Sequence, residues 1–188
     1  MKYFLVFACS VAFACGGISA EQSDFYRTPR KKLIECSWTD REMSTAFLRE
    51  NIAEIEKAMP YSGMRIVLHG TGDGKGEDYK TIFGKTPWKR EWFEEDIRNL
   101  KATKFKAFTD NFLGAGVTPR NVDYFSDSDW KTVCGNFALL AQIAKETGMK
   151  GIIFDPEEYH AHLWQRINIT GHTREEIFNK ARQRGREF

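Results

Sequence analysis

Short apolar runs alternate with stretches of helical periodicity from Lys32 onward. Four runs have the length and composition of β-strands, and each is followed by a segment whose apolar residues recur every three or four positions. The strand-like runs are Lys32–Trp38, Met64–His69, Phe105–Phe112 and Gly151–Asp155. This alternation predicts an α/β protein in which four βα units form a parallel sheet.

Turn and capping residues mark where the four predicted helices begin and end. Ser and Thr favour the N-cap, Pro favours the first helical position, and Gly often follows the last turn. The signals are the capping boxes at Thr39–Glu42 and Thr173–Glu176, the Thr86-Pro87 pair, Ser126 or Ser128 before the third helix, and Gly148 after it.

The spacing of the strands favours a barrel. Strand starts lie near residues 33, 65, 105 and 150, and these intervals fit βα units with enlarged loops. A closed TIM-type barrel has eight units, and four units alone would leave two open sheet edges. We therefore predict that residues 32–188 form a partial TIM-type (β/α) barrel, about four βα units of eight. We expect this N-terminal half to be truncated or to need a missing C-terminal half.

The N-terminal segment predicts export. Lys2 precedes an apolar stretch, Tyr3–Phe13, which is too short to span a bilayer. Cleavage after Ala20 would release residues 1–20 as a signal peptide and leave residues 21–31 as a lead-in segment. The sequence thus predicts a secreted or periplasmic protein with no membrane span. Cleavage before Cys15 would instead give an anchored lipoprotein.

Composition sets broad limits on function. The chain has 188 residues, of which 41% are hydrophobic and 29% charged, with a formal net charge of +2. These values describe one globular domain with no charge excess for nucleic acid. The 15 Phe and five Trp residues suit a large core or a cleft that stacks on sugars.

Three further segments have structural interpretations. Gly70–Gly76 lacks the P-loop pattern and predicts a mobile loop at the barrel mouth. The basic run from Lys180 to Arg186 predicts a solvated helix face. Cys36 and Cys134 are expected to be buried thiols that form no disulfide.

The candidate chemistry lies at the end of the fourth strand. Asp155 and Glu157 point to the same side of an extended strand, about 6–7 Å apart at Cα, while Ile152 and Phe154 face the helices. Two carboxylates this close push their pKa values apart, so that one holds a proton near neutral pH. Glycoside hydrolysis needs such an acid beside the leaving oxygen. We predict Glu157 as general acid/base with Asp155 assisting; the alternative is a structural role for one acid, such as a salt bridge to Arg65.

Other predicted strand ends supply candidate substrate contacts. The side chains that follow strands two and three, together with two aromatic residues able to stack on a sugar face, are expected to bind the carbohydrate substrate. They are His69, Asp110, Asn111, Trp38 and Tyr159.

Two other function classes stay open. Asp155, Glu157, His160 and His162 form an acid–histidine cluster that fits a metal-dependent hydrolase, whereas the glycosidase interpretation requires no cofactor and no metal. The chain also fits a non-catalytic carbohydrate-binding barrel or an inactive fragment.

The residues around the fourth strand resemble a known group of proteins. The segment from Lys145 to Gly151, followed by bulky apolar residues and Asp155-Pro156-Glu157, is similar to secreted bacterial barrel proteins of glycoside-hydrolase type. The resemblance covers residues 32–188 and implies the first four βα units of such a barrel.

Two glycosidase groups show what the resemblance implies for the site. In one large clan a glutamate at the end of strand four is the general acid/base, a position that Glu157 matches with Pro156 in place of the usual Asn. The nucleophile of that clan lies on strand seven, beyond the four predicted units. In the D-x-x-D-x-D-x-E pattern of chitinase-type enzymes, Asp155 and Glu157 match the last two acids, whereas Lys150 and Ile153 occupy the first two acid positions.

Overall fold

Strands and helices alternate along the chain in the computed structural model, which describes residues 31–36, 43–116, 122–156 and 169–187. Two short 3₁₀ helices, Gly72–Gly74 and Arg90–Phe93, lie between the second strand and the second helix. The regular elements are β1 (Ile34–Glu35), α1 (Thr45–Ala58), β2 (Gly63–Ile66), α2 (Glu94–Ala102), β3 (Phe112–Gly116), α3 (Asp127–Glu146), β4 (Ile152–Asp155) and α4 (Arg174–Glu187).

The four strands form one parallel sheet in the order β1-β2-β3-β4. Each strand pairs with the next one in sequence, and a helical segment connects each pair. The sheet is curled like half of a barrel. The predicted α/β class and the four parallel βα units are therefore confirmed.

One face of the sheet packs on the helices and forms the core. Alternate residues of β2 and β3 point to this face, because successive side chains of a strand alternate between faces. The buried core contains Met64, Ile66, Leu113 and Ala115 from the sheet, with Leu48, Ile52, Ile97, Leu100, Val133 and Leu140 from the helices.

The prediction for the third strand is wrong. Phe105–Phe112 was expected to be extended, whereas β3 runs from Phe112 to Gly116 through the residues expected to form a loop. Gly114 and Gly116 lower the β-propensity of this segment. Both glycines lie under side chains from elsewhere in the chain. This packing cannot be predicted from the residues next to the glycines.

Helix boundaries were predicted correctly where capping is local. Ser126 is the N-cap of α3, and at its end Gly148 has φ +75° while Met149 N–H donates to Ala144 O at 2.9 Å, a Schellman closure. At the start of α4, Thr173 N–H donates to Glu176 Oε2 at 2.7 Å, as a capping box requires.

Two other helix starts differ from the prediction. Helix α1 begins at Thr45, and its N-cap is Ser44, whose Oγ accepts from Phe47 N–H at 3.1 Å; the predicted cap Thr39 lies outside the described residues. Pro87 is not in a helix. The Asn136 side chain accepts the Trp88 N–H at 2.8 Å and holds this stretch extended, and α2 follows the 3₁₀ turn at Arg90–Phe93.

The fourth strand has the predicted position but not the predicted burial. It was expected to be buried on both faces, yet Phe154 is exposed, and among the described residues β4 is the last strand of the sheet. Phe154 still packs on the helix-facing side, as predicted, where its ring stacks on Phe83 with centroids 5.8 Å apart and contacts Phe137 of α3.

The basic run of α4 is not a solvated face throughout. Arg184 is buried, and its guanidinium donates to Tyr124 O at 3.0 Å, Asp127 Oδ1 at 2.7 Å and Glu187 Oε2 at 2.9 Å. The cation also lies 5.5 Å from the ring centroid of Trp130. Arg184 thus fastens α4 to the start of α3.

Cys36 and Cys134 form no disulfide with each other, but neither is buried as predicted, because Cys36 is exposed and Cys134 is only partly buried. Of the helices described here, none is both long and apolar enough to cross a membrane. The predicted signal peptide (residues 1–20) and the lead-in up to residue 30 lie outside the described residues, so export stays a prediction.

Candidate functional site

The candidate site lies at the carboxyl end of β4, on the face of the sheet opposite the helices. Asp155 is the last residue of this strand, and its carboxylate forms a salt bridge with Arg65 of β2, with Nη1 3.4 Å from Oδ2. This is the salt bridge that the structural alternative predicted. Arg65 Nη2 also lies 3.4 Å from the carbonyl oxygen of Cys36, just after β1. One arginine therefore connects the carboxyl ends of three strands.

Two glycines of β3 make room for this arrangement. A Cβ atom at Gly114 would lie 3.1 Å from both Cγ and Cδ of Arg65, and one at Gly116 would lie 2.8 Å from the ring of Tyr79. Glycine inside a strand often marks a close approach by another group. In this sheet the approaching groups are the two side chains that accompany Asp155.

Tyr79 closes the site from the loop that follows β2. Its carbonyl oxygen accepts Gly116 N–H at 2.8 Å, which extends the hydrogen bonding beyond the end of the ladder. The ring centroid lies 5.5 Å from the Arg65 guanidinium carbon and 5.7 Å from Lys80 Nζ, within cation–π range. We call the group Arg65, Tyr79 and Asp155 the strand-end site.

Exposure differs sharply across the strand-end site. The Arg65 side chain is 7% exposed, whereas that of Asp155 is 34% exposed. A buried guanidinium needs a partner to offset its lost hydration, and the carboxylate is such a partner. A carboxyl group offers several acceptor positions, so the partly exposed Asp155 side chain is able to accept a hydrogen bond from a ligand hydroxyl as well as from Arg65.

Several predicted site residues lie outside the described residues. They are Glu157, Trp38 and Tyr159, together with His160 and His162 of the alternative metal cluster. Their predicted roles remain predictions. Within the part of the chain that the structure describes, no group of three or more His, Cys, Asp or Glu side chains is arranged to hold a metal ion.

His69 does not end a strand as predicted, because β2 stops at Ile66. His69 N–H donates to Asp96 Oδ2 at 2.8 Å, and its backbone forms an antiparallel bridge with Asp78. Burial raises the pKa of Asp96 above its ordinary value, although the Thr45 hydroxyl and His69 N–H both donate to it. The backbone of His69 therefore connects the loop after β2 to helix α2.

Asp110 and Asn111 lie at the wrong end of the sheet for the predicted role. Since β3 begins at Phe112, both residues precede the strand, at its amino end, and not at the carboxyl end where Asp155 lies. Asp110 forms a salt bridge with Lys32 at 2.7 Å. The Asn111 side chain accepts Met64 N–H at 3.1 Å and donates to Phe108 O at 2.8 Å. The prediction that Asp110 and Asn111 end a strand is wrong because β3 begins at Phe112, seven residues after the predicted start, and ends at Gly116.

The glycine-rich loop has defined contacts. Gly70 N–H donates to Glu77 O at 2.7 Å, and Thr71 N–H donates to Trp92 O at 2.9 Å. Gly74 lies against the Trp92 ring, where a Cβ atom would approach to 2.3 Å. These contacts shape the path from β2 to Tyr79 and thereby place the tyrosine ring over Gly116.

Sequence reasoning missed Tyr79 as a site residue and treated Arg65 only as a salt-bridge partner. One signal was available for each. For Arg65, the signal is that it is the one charged residue in the apolar run Met64–Leu68. For Tyr79, the signal is indirect: Gly114 and Gly116 are two residues apart, as positions on one strand face must be, and such a pair of glycines leaves space for side chains from elsewhere in the chain.

Comparison with known proteins adds no identification. No protein-family model matches the chain, and neither a curated protein nor a solved structure matches it significantly.

Proposed function

We propose that this chain is a secreted, glycoside-hydrolase-like part of a (β/α)₈ barrel that acts on a glycan, with Glu157 as general acid/base and Asp155 assisting. One observation carries the proposal: Asp155 ends a parallel strand on the face opposite the helices, with its carboxylate oriented by Arg65. Barrel enzymes place their chemistry at the carboxyl ends of the strands. Four further strands would complete the barrel.

The residues of the strand-end site suit a supporting role in glycoside hydrolysis. The Arg65 guanidinium holds the Asp155 carboxyl group in place, so this side chain is suited to orienting a substrate hydroxyl. Glu157 follows two residues later and has the longer side chain. Glycoside hydrolysis uses two carboxyl groups in different roles, one of which donates its proton to the leaving oxygen.

The activity is tested with a panel of soluble polysaccharides and their oligosaccharides. Glu157→Gln is expected to reduce turnover by at least about 100-fold, because the amide has no proton to donate, while leaving glycan binding in place. Glu158→Gln, the same change one position along the chain, is the matched control and should keep activity. Equal loss in both variants, or unchanged turnover in Glu157→Gln, would contradict the assignment.

The same panel separates the other function classes. Glycan binding without turnover, lost in Trp38→Ala, would identify a carbohydrate-binding barrel instead of an enzyme. Turnover that a chelator abolishes and zinc restores would identify a metal-dependent hydrolase that uses Asp155, Glu157, His160 and His162. A metal-free glycosidase keeps its turnover in the chelator.

Export is tested separately. Expression of the full chain in a bacterial host, followed by N-terminal sequencing of the exported product, should show Glu21 as the first residue, since the predicted signal peptide ends at Ala20. A product that begins at Cys15 and carries a lipid would show an anchored lipoprotein. Retention of residues 1–20 in a cytoplasmic product would overturn the export proposal.

A further inference from the structure

Asp96 is a buried acid to which the proposed function gives no role. It lies in the first turn of α2 and is only 7% exposed. Both of its hydrogen bonds reach other parts of the chain. The Thr45 hydroxyl at the start of α1 donates to Oδ1, and His69 N–H from the loop after β2 donates to Oδ2 at 2.8 Å. Because a buried carboxyl group is costly without such donors, these two contacts hold Asp96 in one position.

The contact at His69 lies where the loop after β2 closes on itself. The backbones of His69 and Asp78 form an antiparallel bridge, and Gly70 N–H donates to Glu77 O at 2.7 Å just inside it. We call His69 and Asp78 the loop neck. Since the bridge pairs the two ends of the loop, the position of His69 determines that of Asp78.

Tyr79 follows the loop neck directly and is held in a tight turn. Thr81 N–H donates to Asp78 O at 2.9 Å, and Lys80 N–H donates to Asp78 Oδ1 at 2.8 Å. Tyr79 therefore occupies the second position of a β-turn that begins at Asp78. On its other side, Tyr79 O accepts Gly116 N–H at 2.8 Å. A displacement of the loop neck thus carries Tyr79 away from the end of β3.

We propose that Asp96 is a positioning residue of the strand-end site. Its carboxyl group holds the loop neck through His69 N–H, and the bridge and the turn pass this placement on to Tyr79. A second attachment, from Thr71 N–H to Trp92 O at 2.9 Å, lies inside the loop, whereas Asp96 acts at the neck itself. The proposal rests on the proposed function only for what the strand-end site binds, since the placement of Tyr79 is tested without a glycan.

The experiment compares amide hydrogen exchange at Gly116 and Leu113 in the full chain by NMR. Both residues belong to β3, but Gly116 N–H donates to Tyr79 O and Leu113 N–H donates to Gly151 O at 3.0 Å. In Asp96→Ala, exchange at Gly116 should become at least about 10-fold faster relative to Leu113, because the loop neck loses its acceptor. A loss of overall stability would instead speed exchange at Leu113 at least as much as at Gly116.

Thr45→Val is the matched control. It removes the other hydrogen bond of Asp96 from an equally buried position and keeps the size of the side chain, while His69 N–H keeps its acceptor. The ratio of exchange at Gly116 to that at Leu113 should therefore stay at its wild-type value. If Asp96→Ala does not fold, the comparison is made in Asp96→Ser, which places no oxygen where Oδ2 stands.

Asp96→Asn gives the conservative rescue. The amide oxygen is able to accept His69 N–H while its NH₂ group donates to the Thr45 hydroxyl, which has a second acceptor position beside the one that Asn99 uses at 3.2 Å. This variant should keep the wild-type ratio. An unchanged ratio in Asp96→Ala, or an equal rise in Thr45→Val or Asp96→Asn, overturns the proposal. Glycan turnover is measured separately, so the failure of either proposal is visible without the other.

Discussion

Arg65 and Asp155 meet across a strand that lies between them. Arg65 belongs to β2 and Asp155 to β4, and Arg65 Nη1 reaches Asp155 Oδ2 at 3.4 Å by passing over Gly114 of β3. A side chain at Gly114 would narrow that path. The salt bridge therefore joins β2 and β4, which are not neighbours in the sheet. It also holds the side chain of Asp155, the acid of the candidate site that the structure describes, in one position.

A double-mutant cycle measures this pair. Asp155→Asn should lower the free energy of unfolding by about 1–2 kcal/mol, because the buried guanidinium loses its charged partner. Combined with Arg65→Met, it should show a coupling energy of about 1 kcal/mol, since 3.4 Å is longer than a strong charge-assisted hydrogen bond and Asp155 is partly exposed. Urea unfolding of the four proteins gives the value. The exposed pair Arg90–Glu94 is the control, and its coupling is expected to be smaller than that of Arg65 and Asp155. Additive effects at Arg65 and Asp155 would show that the two side chains do not interact.

Gly114→Ala should destabilise the protein by about 1–3 kcal/mol. The new methyl group would lie 3.1 Å from the Arg65 side chain, so the arginine must move away from Asp155 to relieve the overlap. Gly135→Ala is the opposite case, because Gly135 is in helix α3 with nothing within 4 Å of the added Cβ atom. That change should stabilise the protein by about 0.5–1 kcal/mol. Thermal unfolding of both variants checks the two signs, and stabilisation by Gly114→Ala would contradict the proposed contact.

Arg184→Met should cost about 2–3 kcal/mol of stability. The substitution removes three hydrogen bonds and leaves the buried carbonyl of Tyr124 without its guanidinium donor. Arg182→Met, two residues away on the same helix and exposed, should change stability by less than about 0.5 kcal/mol. Urea unfolding measures the change in the free energy of unfolding for each variant. Similar changes for both would show that the buried Arg184 side chain does not stabilise the protein.

Glu56 should give the protein a pH-dependent part of its stability. Burial raises the pKa of Glu56, but the N–H groups of Lys106, Ala107 and Phe108 all donate to its Oε1 and hold the pKa below the ordinary value of 4.5. A lowered folded-state pKa contributes stability that is present above the unfolded pKa and is lost as the pH falls through the folded value.

Glu56→Gln tests this contribution. At pH 7 the variant should be less stable by about 1 kcal/mol, a value that allows for partial exposure of the carboxylate, and the difference should shrink as the pH falls below 4.5. Glu54→Gln, on the exposed face of the same helix, should track the wild type at every pH. A difference that stays constant from pH 7 to pH 3 would exclude the ionised carboxylate as its cause.

Local signals in the sequence predicted elements reliably where the structure uses neighbouring residues. The capping box at Thr173 and Glu176 is confirmed because both partners lie within one helical turn. Strand β4 ends at Asp155, as predicted, since Pro156 has no N–H for the ladder. Gly148 follows the last turn of helix α3, as predicted, because its positive φ closes the helix through contacts within a few residues.

The sequence-based predictions were wrong where residues that are distant along the chain determine the local structure. The segment from Phe112 to Gly116 has weak strand propensity on its own and forms a strand by pairing with β2 and β4, with Arg65 and Tyr79 packed over its glycines. Asp110 and Asn111 therefore lie at the amino end of β3 and not at its carboxyl end. Arg184 carries the charge pattern of a surface residue, and it is buried because Tyr124 and Asp127 approach it from another part of the chain.

The α/β class, the four βα units, the local helix caps at Ser126 and Thr173, and the acid at the end of β4 could all be predicted from the amino-acid sequence. All of these follow from periodicity and from contacts within a few residues. Only the tertiary structure decided the register of β3, the burial of Arg184 and the union of Arg65, Tyr79 and Asp155, because each depends on which distant segments of the sheet and its loops pack against one another.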